Sequence, residues 1–161
     1  MANSKLIASA GEHYVTYMLS TLGFIAALVR EGAPTIDILA SNLHASRTIG
    51  IQVKTTASAM RTRGRGKNKV PHELQFPLGH KAVEHANPGH VFCFVDLLGQ
   101  SDNLRPDVYI VPASIVTKHY EGQDIRKHSY FRLHWPVSKM LAFQNDWSPI
   151  VDLLSDPSDG G

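Results

Sequence analysis

A chain of 161 residues with 43% hydrophobic and 19% charged residues can bury one ordinary core and is short for two domains. Its single cysteine, Cys93, excludes an internal disulfide framework, and no stretch approaches the roughly 18 continuous apolar residues of a membrane span. The net charge of +2 hides a division: residues 1–81 carry ten Lys or Arg against four Asp or Glu, whereas residues 82–161 carry six against ten. No charged, leader-like opening is evident, so the expectation is a soluble cytoplasmic protein, one domain over 1–161, with no membrane association.

In chain order, residues 4–22 predict a helix. On a wheel of roughly 100° per residue, Ala8, Gly11, Val15, Met18, Leu19 and Leu22 fall within about 60° of Val15, a stripe able to cover a sheet. Ser4 is the expected N-cap and Gly23 the stop. FIAALV (24–29) reads as a short strand. Pro34 suits the start of the next one, where a missing N–H costs least. TIDILA (35–40) and RTIGIQVKTT (47–56) read as antiparallel strands joined by the turn SNLHAS. PLGHKAVEHA (77–86) predicts a helix of about two turns. HVFCFVDL, rich in β-branched and aromatic residues, predicts a central strand, and DVYIVPASIVTKHY a strand passing into a helix at Pro112. Trp135, Phe143 and Trp147 are expected to pack across the body, and the tail over about 155–161 to fray.

Between the strands lies MRTRGRGKNK, with Arg61, Arg63, Arg65, Lys67 and Lys69 at alternate positions and no Asp or Glu from 38 to 72. Such a block suits a polyanion, since each cation can approach a phosphate and release counterions. Its glycines and lack of apolar residues predict a mobile loop over about 57–73. Arg47 and His44, in the turn before the long strand, are further candidates for phosphate.

Strand parity gathers a second group. In TIDILA, Ile36 and Ile38 share one face and Asp37 takes the other. In IGIQVK, Ile51 and Val53 share one face and Gln52 and Lys54 the other. If the two strands pair with their apolar faces in agreement, Asp37, Gln52 and Lys54 emerge together. Glu12, at the margin of the helical stripe, can join them. A hard divalent cation such as Mg²⁺, or Mn²⁺ in its place, takes oxygen ligands. The carboxylates of Glu12 and Asp37, the amide oxygen of Gln52 and the carbonyl of Val53 could supply them. The cation would activate water against a phosphodiester, and Lys54 would orient that water or stabilise the charge developing on phosphate.

Glu12, then PTID at 34–37, then QVK at 52–54 resembles the PD-(D/E)XK nuclease superfamily, most closely its Holliday-junction-resolvase-like, restriction-endonuclease-like branch. GEHYVTYMLSTLGF, Gly11 to Phe24, is similar to the opening helix of that branch, and the resemblance covers roughly residues 8–56. It implies an α/β fold with a central mixed sheet of about five strands flanked by helices. It also implies an Mg²⁺-dependent endonuclease acting on DNA, less often RNA, and pairing of two copies as in many resolvase-like members. By the same resemblance Asp37 is the metal-binding aspartate, Lys54 the motif lysine and Glu12 the helix glutamate. Gln52 stands where the pattern has Asp or Glu, and Thr35 and Ile36 separate the proline from the aspartate. The neutral Gln52 leaves two alternatives open: a catalytically weak or inactive nuclease-fold protein that binds nucleic acid, and a small protein-interaction module.

Other groups offer less. His80, Glu84 and His85 can share a helical turn, but HKAVEH lacks the HExxH spacing and an evident third zinc ligand. His13 beside Glu12 is expected to serve the surface or packing more than substrate. Ser114 lacks a G-x-S-x-G context, and GRGK lacks the glycine spacing of a phosphate-binding loop.

Overall fold

The computed structural model describes residues 3–29, 33, 35–99, 105–128 and 130–156. The opening helix α1 (Ser4–Thr21) starts where expected and ends one residue sooner, with its cap one residue further out. Asn3, not Ser4, is its N-cap, the side-chain oxygen accepting from the Lys5 N–H. Gly23 takes φ +89° just past its end, a left-handed turn that suits glycine.

Strands β1 (Ile25–Leu28), β2 (Ile38–Ser41), β3 (Thr48–Thr56), β6 (Val91–Asp96) and β7 (Asp107–Pro112) form a five-stranded sheet in the order β1-β2-β3-β6-β7. Only β3 and β6 are parallel; the other pairs are antiparallel. Every residue of β6 is buried, as its composition predicts for a central strand. Alternation divides its side chains. Val91, Cys93 and Val95 join Ile51, Val53 and Ile110 under α1 and the C-terminal helix α5 (Ser148–Leu154). Phe92 and Phe94 point the other way, where Tyr109 and Val111 complete the apolar layer. Burial raises the pKa of the Cys93 thiol far above its ordinary value.

That second face is covered by a sheet the sequence did not announce. Met60–Arg63 (β4), Val70–Pro77 (β5) and Arg132–Pro136 (β8) pair antiparallel in the order β4-β5-β8. The basic run expected as a loop over 57–73 is therefore a hairpin, with one 3₁₀ turn at Gly66–Asn68. Apolar residues at alternate positions, Leu74 and Phe76 in β5 and Leu133 and Trp135 in β8, supply the buried face. The Arg61 guanidinium fastens the outer face, donating to Gln75 Oε1 and to the carbonyls of Ser58 and Met60.

Three short α-helices join these elements: α2 (His80–Glu84), shorter than the two turns expected, α3 (Ala113–Tyr120), which begins after Pro112 as read, and α4 (Val137–Met140). Trp135 is buried and Phe143 half-buried in the layer under the second sheet, while Trp147 packs with α1 and α5. Of the tail expected to fray, residues 157–161 lie outside the described ones. Asp156 is held at the β2–β3 turn, accepting from Asn42 and Ser46 and pairing with Arg47 at 3.4 Å. Pro34 also lies outside the described residues.

Candidate metal and phosphodiester site

The site forms where β2 stops and β3 continues. The register pairs Ile38 with Ile51 and leaves Gln52 to Thr56 without a β2 partner. Asp37, in the bend before β2 and not within the strand as read, fills this gap twice over. Its backbone N–H donates to the Ile51 carbonyl at 2.9 Å. Its Oδ2 accepts from the Val53 N–H and from Gln52 Nε2, both at 2.7 Å. The carboxylate thus takes the place of the next ladder acceptor. Because N–H and C=O of one strand residue point to the same side, the Val53 carbonyl faces Asp37 as well.

Gln52 is 7% exposed, and the amide orientation is set by its partner: only the NH₂ end can approach a carboxylate oxygen. The Oε1 atom is then left buried, with no hydrogen bond from any described residue. An orphaned buried acceptor costs about 1–3 kcal/mol, so an oxygen in this position calls for a ligand.

Glu12 reaches the same place from α1, because Gly11 lets the helix settle against β3. A Cβ on Gly11 would lie 2.8 Å from Thr55 Cγ2 and 2.9 Å from Thr55 Cβ. The Glu12 pKa is raised above its ordinary 4.5, first by burial and then by the Asp37 charge, with His13 and Lys54 opposing. The Lys54 pKa is lowered from 10.5 by burial, while Asp37 and Glu12 pull it back up. Glu12, Asp37, Gln52, Val53 and Lys54 line one cleft of about 540 Å³, together with Pro77 and Arg132. Glu12 and Asp37 also border a separate side hollow beside Lys5 and Ser9.

This donor set fits a hard cation: two carboxylates, one of them made basic by its surroundings, an amide oxygen without a hydrogen bond, and a strand carbonyl. It does not fit zinc or another soft metal, and no cluster of three His, Cys, Asp or Glu residues occurs among the described residues.

The remaining candidates separate. Arg47 immediately precedes β3, at the end away from Lys54 and about 20 Å from it, and is engaged with Asp156. His44 is exposed in the same turn. Arg61 serves the hairpin, as above. Arg63, Arg65, Lys67 and Lys69 are exposed around the hairpin tip, about 20 Å from the Pro77 end that lines the cleft. Glu84 is occupied by Arg126, which donates to it at 2.6 and 3.1 Å, so the His80, Glu84 and His85 group makes no metal site. His13 Nδ1 donates to the Ser9 carbonyl on its own helix. Arg132, which the sequence reading passed over, belongs to β8; the basic-aromatic run YFR at 130–132 was the available signal.

No protein-family model matches the chain, and no curated protein matches it in sequence. Comparison of structures gives a different result. The bacterial homing endonuclease I-Ssp6803I superposes with a TM-score of 0.59 over 100% of both chains at 10% identity. Archaeoglobus fulgidus Hjc, a Holliday junction resolvase from an archaeal hyperthermophile, gives 0.51 over 92% of this chain and 98% of its own at 15% identity. Both have PD-(D/E)XK-like nuclease folds, and the mixed five-stranded sheet flanked by helices is the same restriction-endonuclease-like architecture. At these identities the likeness is one of fold.

Proposed function

We propose that on this PD-(D/E)XK-like fold the cleft hydrolyses phosphodiester bonds of nucleic acid, DNA in the first place, as an Mg²⁺-dependent endonuclease. The observation that carries the reading is the buried, unpartnered Gln52 Oε1 beside the Asp37 carboxylate, in one cleft with Glu12 and Lys54. The two structural neighbours, both nucleases, support it.

Glu12, Asp37, the Gln52 oxygen and the Val53 carbonyl would hold the cation, which when bound supplies Lewis acidity to the phosphate and acidifies a water. Asp37 anchors the set: the Val53 N–H and the Gln52 amide fix one of its oxygens, which also fixes the direction of the Gln52 oxygen. Lys54 brings an ammonium to the phosphate. Burial weakens its hold on the proton and the two carboxylates offset this only in part; the ammonium form places a positive charge in a site of low polarity, where it stabilises developing negative charge most. Arg132, which lines the same cleft, brings a second cation to it.

The neutral Gln52 supports one second reading, a nucleic-acid-binding protein without turnover, since the site has one anionic donor fewer than the usual pattern. One set of measurements separates the two. Purified protein is offered linear duplex, nicked, single-stranded and four-way-junction DNA and RNA, with Mg²⁺, Mn²⁺ or chelator. Cleavage that chelator abolishes, and that D37A and K54A lose while remaining folded, is the expected result. The K54A defect should fall on kcat more than on KM. Q52E should tighten divalent binding by restoring the anion. Absence of cleavage by wild type and Q52E alike, with neither binding a divalent cation, leaves the binding-protein reading standing.

A further inference from the structure

The cleft does not end at Lys54. It opens into a second hollow of about 320 Å³ in which Lys54 and Pro77 meet Leu78, Gly79, Tyr130 and Arg132. That hollow leads to a third, of about 250 Å³, bordered by His119, Tyr120, His128 and again Tyr130 and Arg132. Arg132 belongs to all three and Tyr130 to the outer two, so they form a continuous wall. Among the described residues, no Asp or Glu lines either outer hollow, and in the cleft itself the acids are Glu12 and Asp37.

The wall is held in place by backbone. The Phe131 carbonyl accepts from the N–H groups of both Leu78 and Gly79, at 3.1 and 3.0 Å, stitching the segment before β8 to the end of β5. Behind it the rings of Phe131 and Tyr120 meet edge to face at 4.8 Å. The Tyr130 side, by contrast, is 83% exposed. A ring this open, next to an arginine and on a groove leading from a phosphodiester cleft, has its face free to stack on a ligand.

We propose that this groove is a strand subsite: Arg132 takes the phosphate next to the one being cut, and Tyr130 stacks on the adjoining base in the third hollow. Stacking of this kind requires a base free of its pairing partner. The preferred substrate therefore carries an unpaired nucleotide beside the cleaved bond, as in a branched or single-stranded arm, in preference to a continuous duplex. The inference rests on the phosphodiesterase reading of the cleft and adds the substrate class to it.

The test uses a DNA duplex bearing a single-stranded arm, with 2-aminopurine as the first unpaired base, in both strand polarities, and a fully paired duplex for comparison. Binding is measured in chelator so that no strand is cut, and cleavage in Mg²⁺. Wild type should quench the 2-aminopurine in one polarity and bind that arm about tenfold or more tightly than the paired duplex. Y130A should lose the quench and most of this preference with the salt dependence unchanged, and Y130F should retain both. R132Q should keep the quench and flatten the slope of log K against log salt by about 0.7, the share of one single-strand phosphate. Wild type that cuts the arm while Y130A and R132Q match it in quench, KM and salt slope overturns the subsite and leaves the cleft reading intact. Wild type that cuts nothing overturns the cleft reading first, and equal quenching by wild type and Y130A then removes the stacking site as well.

Discussion

Replacing Gly11 by alanine sets two opposed effects against each other, and the structure decides between them. In the interior of α1, Ala is favoured over Gly by about 0.8–1 kcal/mol. Against this, the new Cβ would sit far inside contact with Thr55 Oγ1, 2.8 Å from Cγ2 and 2.9 Å from Cβ. Rotation about χ1 can move the first two atoms aside but not the third. Ordinary contact begins near 3.4 Å, so helix and strand must part by at least about 0.5 Å. Displacing both branches of a buried threonine belongs at the upper end of the 1–3 kcal/mol that overpacking costs, so the net destabilisation expected is about 1–2 kcal/mol. Urea unfolding of wild type, G11A, T55A and the double mutant measures it, with the loss on G11A smaller in the T55A background because two of the three crowded atoms are gone. Glu12 is the next residue, so the same separation should lower turnover by between a few-fold and about 10². A gain of about 1 kcal/mol for G11A in both backgrounds would show that propensity acts unopposed, and the close approach of α1 to β3 would have to be abandoned.

Two further outcomes follow from charge. The native state holds the Glu12 proton more tightly than the unfolded chain, for which 4.5 is the ordinary value, so between 4.5 and the raised native value stability falls as pH rises and then levels off. Cation binding needs the anion and should strengthen with pH across that same window; calorimetric titration of Mn²⁺ at a series of pH values should show this, and E12Q should flatten it, whereas a midpoint at or below 4.5 contradicts the assignment. For the hairpin, R63A/R65A/K67A should reduce the salt slope of duplex binding by up to about 0.9 for each phosphate the variant no longer neutralises, by similar factors on unrelated sequences. R61A should act on hairpin stability instead, read by thermal unfolding; a salt slope unmoved by the triple variant assigns the exposed run to solvation.

What the sequence made legible was whatever depends on neighbours a few residues apart. The α1 stripe, the all-apolar β6 and the alternation that puts Gln52 and Lys54 opposite Ile51 and Val53 follow from local periodicity, and the five-stranded sheet keeps them. The β4–β5 hairpin was misread because its cations alternate through a segment whose apolar residues, Leu74 and Phe76, come only after the charged stretch. Its third strand, β8, lies about 60 residues further on. Asp37 shows the same limit at one residue. Parity placed it on a strand, whereas its function as an acceptor for Val53 and Gln52 depends on β2 beginning only after it. Arg47 failed for a reason no local pattern contains, an ion pair with a residue 109 positions away.

The burial of Cys93 has a practical consequence. It is the one cysteine of the 161 residues, it is fully enclosed within β6, and its thiol resists ionisation. The folded protein should therefore be silent to maleimides and similar reagents, because the thiolate is the reactive species. Any cysteine introduced at an exposed position becomes a unique attachment point without further engineering. Lys67→Cys at the hairpin tip and Ser46→Cys at the opposite end of β3 offer two such points for fluorophores or spin labels. Distances between them, and from each to a labelled oligonucleotide, would then track how the protein seats itself on its substrate.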